Sequence, residues 1–130
     1  MESDRDMPPK AAAPKAKAKP KAAPKATAAD NARTRRVLPT IVHRHIENWS
    51  HVARILAPSG MARLELGVRI RRYYVNLQFS IQDLPGLRPY LGQTLQAWQR
   101  AYAATRNDAT WDPQTVVDIG NAELHRLQAL

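Results

Sequence analysis

The sequence predicts an α+β domain, built in the order helix, β-hairpin, helix, helix and preceded by a basic disordered arm. Three observations carry that prediction. Apolar and polar residues alternate strictly between Arg63 and Gln82, the pattern of a half-buried strand. Apolar residues recur at helical spacing on both sides of that stretch. All six lysines fall in the first 25 residues, so the chain has two compositional regimes, 1–36 and 37–130.

The arm comes first. Lys10, Lys15, Lys17, Lys19, Lys21 and Lys25 lie in a run made only of Lys, Ala and Pro, interrupted by Pro14, Pro20 and Pro24. Mutual repulsion, little apolar surface and repeated proline oppose folding and favour an extended, polyproline-like arm. Arg33, Arg35 and Arg36 add a second basic cluster at its end. Flexible cations of this kind neutralise phosphates and release counterions without reading sequence. The composition resembles the Lys-Ala-Pro tails of linker histones and bacterial histone-like proteins over about 16 residues, which implies contact with DNA or RNA.

Residues 37–130 form the predicted domain. Pro39 suits the first position of a helix, and Val42, Ile46, Trp49, Val52 and Leu56 continue it to Pro58-Ser59-Gly60. The hairpin follows. Leu64, Leu66, Val68 and Ile70 occupy one face of its first strand, and Val75, Leu77, Phe79 and Ile81 one face of its second. The phase changes at Arg71-Arg72-Tyr73-Tyr74, the expected tip. Pairing Ile70 with Val75 sets Val68 opposite Leu77 and Leu66 opposite Phe79. Read as a helix, the second half would place Val75 and Phe79 on one side and Leu77 and Ile81 on the other, with no single apolar stripe. Asp83-Leu84-Pro85-Gly86 is a turn, and Pro89 opens a helix carrying Leu91, Leu95, Trp98 and Tyr102. Asp112-Pro113 reads as an N-cap followed by proline, opening a last helix with Val116, Gly120, Leu124 and Leu127. Gly120 costs that helix about 1 kcal/mol relative to Ala.

A lone hairpin has two open edges and marginal stability. The expectation is therefore a homodimer that pairs two hairpins into a four-stranded sheet. In outline this is similar to small viral nucleocapsid proteins, which place a basic arm before a dimeric hairpin-and-helix domain.

Composition excludes several function classes. Without cysteine there is no disulfide scaffold and no cysteine-based zinc site. No apolar run approaches the roughly 18 residues of a membrane span, and the N-terminus has no secretory apolar region. An intracellular or virion protein is expected. His43, Glu47 and His51 share a helix face, but the outer pair stands about 12 Å apart along the axis, too far for one metal ion. No nucleophile elbow, carboxylate pair or phosphate-cradling loop is present, so the reading is a non-enzyme without cofactor or metal.

The predicted function is sequence-nonspecific nucleic-acid binding or packaging. Lys10 to Lys25 with Arg33, Arg35 and Arg36 carry it, and the hairpin contributes Arg69, Arg71, Arg72, Tyr73 and Tyr74 as phosphate and stacking contacts. The alternative is a protein-interaction adaptor or assembly factor of a phage, virus or mobile element, with the arm as a tether.

Overall fold

A computed structural model of the chain describes residues 27–130. Among these residues 86% are helical and none lies in a strand. The helices are α1 (Ala28–His51), α2 (Arg63–Asp83), α3 (Arg88–Thr105) and α4 (Pro113–Leu127). The predicted α+β class is therefore corrected to an all-helical domain. With no hairpin among the described residues there are no sheet edges there to pair, and the four-stranded dimer loses its basis.

The stretch read as a hairpin is α2. Two residues advance about 200° around a helix, so strict alternation loads two opposite sides in turn. Leu66, Ile70, Leu77 and Ile81 are buried in the core. Leu64, Val68 and Phe79 project from the other side, 67%, 62% and 63% exposed, with half-buried Val75 between them. The absence of a single apolar stripe, which argued for strands, is real. It arises because α2 is apolar on two sides. The predicted cross-strand partners Leu66 and Phe79, or Val68 and Leu77, lie on opposite sides of one helix. Arg71-Arg72-Tyr73-Tyr74 is not a tip but the middle of that helix.

Helix α1 starts well before Pro39. Thr27 caps it by accepting from the Asp30 N–H at 3.0 Å, while Asp30 accepts from the Thr27 N–H at 3.3 Å, a reciprocal pair that fixes the first turn. Pro39 therefore sits inside α1. It is solvent-exposed, where water can satisfy the carbonyl that loses its partner. Beyond His51 the rod continues through a π-helical turn, Val52–Leu56, with the Ala57 N–H donating to the Val52 carbonyl at 2.9 Å. It ends at Pro58-Ser59-Gly60, where Gly60 takes φ 81°.

The core is organised around two indoles. Trp49 of α1 and Trp98 of α3 stack with ring centroids 3.5 Å apart and planes 5° apart. Tyr73 of α2 packs its ring 5.1 Å from Trp98. Leu66, Ile70, Leu91, Val116 and Leu124 close around them. Helix α4 comes close because Gly120 has no side chain: a Cβ there would lie 2.5 Å from the Ala53 Cβ and 3.2 Å from the Trp49 ring. Asp112 caps α4 by accepting from the Gln114 N–H at 3.0 Å. Buried Glu123 of α4 is held by Arg126 at 2.9 and 3.0 Å, and Arg126 also donates to Thr94 of α3.

Gly120 thus contributes more than a weak helix position. In an exposed helix Gly→Ala would stabilise by about 1 kcal/mol. Here Gly120→Ala is expected to destabilise by about 1–3 kcal/mol, because the methyl forces α4 away from Trp49 and Ala53. Urea denaturation of the variant checks this. A gain in stability would show that α4 does not approach α1 as described.

Candidate nucleic-acid interface

The arm lysines Lys10, Lys15, Lys17, Lys19, Lys21 and Lys25 lie outside the described residues. The other predicted contacts lie on α1 and α2. Arg33, Arg35 and Arg36 belong to the first turns of α1. Arg33 is engaged with Asp83 at the end of α2, 2.9 Å away, an exposed pair worth little in itself. Arg35 and Arg36 are exposed. His43 and Glu47 form a surface pair at 3.4 Å, one turn apart.

On α2, Arg69 lies 3.9 Å from Glu65. Arg71 and Arg72 are exposed in mid-helix. Tyr73 and Tyr74 are packed against the core, and Tyr73 lies against Trp98. Both rings are thus held half-buried against the core and do not project from the surface as exposed side chains would. The structure brings Arg71 and Arg72 together on one outer surface and separates the two tyrosines from them.

Two shallow grooves border the outer side of α2. One, against α1, is lined by Arg44, Asn48, Asn76 and Phe79, with His45 and Tyr73 at its floor. The other, against α3, is lined by Leu64, Val68, Arg71, Tyr102 and Arg106. Arg106 lies 5.4 Å from the centre of the Tyr102 ring and donates to its hydroxyl at 3.1 Å. Among the described residues no carboxylate lines either groove, whereas Asp83 joins Arg33 in a further groove between α1 and the end of α2. Among the described residues, the arginine ion pairs use Arg33, Arg63, Arg69 and Arg126. Arg35, Arg36, Arg44, Arg71 and Arg72 pair with no described acid. The outer surfaces of α1 and α2 are thus cationic and suited to anions.

Arg44 and Arg106 are functional candidates that the sequence reading missed. Arg44 follows Arg36 by eight residues, two turns along the same helix face, a signal hidden once the helix is begun at Pro39. Arg106 is the C-cap of α3, one turn after its aromatic neighbour Tyr102.

His45 forms the floor of the first groove. Its Nδ1 accepts from the Trp98 Nε1–H at 3.0 Å, which fixes it as an acceptor. Burial above all, and then the nearby Arg44 charge, bring its pKa down to about 4 against a partial offset from the Glu123 carboxylate. The imidazole is neutral at physiological pH.

The chain matches no protein-family model, no curated protein and no solved structure.

The depressed His45 pKa couples stability to pH with a definite sign. The unfolded chain takes up a proton below its ordinary value of 6.5, whereas the folded chain resists protonation down to about 4. Stability is therefore lost as pH falls from 6.5 towards 4, by up to about 3 kcal/mol from this group. His45→Gln, which retains an acceptor but cannot titrate, is expected to flatten that slope while lowering stability at neutral pH. Urea midpoints of both proteins across this range check it. Parallel slopes would show that His45 titrates normally.

Proposed function

We propose that this protein binds nucleic acid with little sequence preference, through the Lys-rich arm and the cationic outer faces of α1 and α2. The observation that carries this reading is the segregation of charge. Residues 7–29 hold six lysines and no acid, and residues 27–130 hold thirteen arginines against eight acids. The arginines without a described acidic partner include Arg35, Arg36 and Arg44 on α1 and Arg71 and Arg72 on α2, and of these Arg44 and Arg71 line the two grooves without a described carboxylate. Such an arrangement neutralises phosphates and leaves base edges unread. In this reading the helical domain anchors the arm and adds fixed cations, whereas the tyrosines serve the core.

A second reading, an interaction adaptor or assembly factor, is favoured by a different observation: the exposed apolar side of α2, with Leu64, Val68 and Phe79 more than half accessible.

Salt titration of binding to one duplex tests the first reading. The full chain is compared with a variant in which all six lysines are replaced by Gln. The variant is expected to bind orders of magnitude more weakly at low salt. Its plot of log affinity against log salt is expected to be shallower by up to about 5, since each phosphate that a lysine neutralises adds about 0.9 to the slope. Equal slopes and affinities would make the arm a bystander. Absence of binding by the full chain would leave the adaptor reading in place.

A further inference from the structure

We propose that the outer strip of α2 is a two-fold interface on which a second copy of this chain packs antiparallel, with the dyad between Arg71 and Arg72. The inference rests on the strip itself and stands independently of nucleic-acid binding.

The strip is Leu64, Val68, Val75 and Phe79. These side chains fall within about 60° of arc and run about 22 Å along the helix, opposite the core-facing side. Helix α2 already buries Leu66, Ile70, Leu77 and Ile81. Its second apolar side is therefore surplus to the fold of one chain. An exposed apolar strip of this length on one helix is the form that a helix–helix contact takes.

The order of the strip identifies the occupant. The spacings are four, seven and four residues, so the strip reads the same from either end. Laid antiparallel on its own copy about a dyad between residues 71 and 72, Leu64 meets Phe79 and Val68 meets Val75, each pair twice. This is the self-complementarity that an isologous contact requires. An unrelated partner would not require a palindrome.

The charges obey the same symmetry. Arg71 and Arg72 stand about 50° to either side of the strip's centre line, at its midpoint. The dyad would place two Arg71 side chains on one flank of the seam and two Arg72 side chains on the other. Their aliphatic stems can lie along the seam with the guanidinium groups in water. Like charges at the centre weaken the pair, and salt relieves the repulsion as the Debye length falls from about 30 Å at 0.01 M to about 8 Å at 0.15 M. Self-association should therefore tighten severalfold over that range, opposite in sign to the salt dependence of phosphate binding.

Sedimentation velocity on the full chain tests the interface. The expected species is two 14.6 kDa chains, converted to one by Leu64→Glu with Val68→Glu without loss of helicity, because both residues point away from the core. The register is tested by cross-linking, which the absence of native cysteine permits. Arg72→Cys is expected to form a disulfide with its own copy. Phe79→Cys alone is not, since the two copies would stand about 22 Å apart along the axis. Mixed with Leu64→Cys, it should give the heterologous cross-link. A monomeric full chain at every accessible concentration overturns the proposal, as does a dimer that survives the double Glu variant. Self-cross-linking of Phe79→Cys in place of Arg72→Cys overturns the antiparallel register.

Discussion

The stack of Trp49 on Trp98 is the interaction on which the rest of the fold depends. Each indole is fully buried, and the pair joins α1 to α3 face to face. Tyr73 brings α2 against Trp98, its ring tilted 45° to the indole, and Gly120 lets α4 approach Trp49 closely. All four helices therefore meet at one aromatic centre. The two indole N–H groups differ in their surroundings. Trp98 finds an acceptor in His45, whereas the buried Trp49 Nε1–H has none among the described residues. Keeping His45 neutral is part of the same constraint, because an imidazolium could not accept from Trp98.

Much of the helical framework is legible in the sequence. Asp112-Pro113 marks the start of α4, Pro58-Ser59-Gly60 ends the first rod, and the Leu91–Trp98–Tyr102 spacing marks α3. The first residues of α1 are not, because Pro39 looks like a beginning, while the signal that sets the start is the reciprocal cap of Thr27 and Asp30. Helix α2 misleads for a more general reason. Period-two alternation distinguishes strand from helix only when a helix has a single apolar side. A helix that is apolar on two opposite sides produces the same string, and the β-branched and aromatic residues of Val75, Phe79 and Ile81 reinforce the wrong choice.

The candidate site is legible in its charges and not in its aromatics. Arg35, Arg36, Arg71 and Arg72 are exposed, as long cationic side chains usually are. A hairpin tip would display Tyr73 and Tyr74 on a surface. Once the segment is helical they lie beside the core-facing residues Ile70 and Leu77. Arg44 is obscured by the neighbouring His43 and His45, whose roles differ completely: one is a surface partner of Glu47, the other a buried acceptor for an indole.

These features describe one division of labour within a small domain. The inner side of α2 and the tryptophan stack hold four helices together, and its outer side with α1 presents cations and apolar surface. The most direct test is a truncation scan of α2 to Ala, read as unfolding free energy in urea at a single dilute concentration. Leu66, Ile70, Leu77 and Ile81 should each cost about 2–5 kcal/mol, and Leu64, Val68 and Phe79 no more than about 0.5 kcal/mol. Comparable costs at both sets, as a hairpin with all eight residues on one buried face would give, would contradict the two-sided helix.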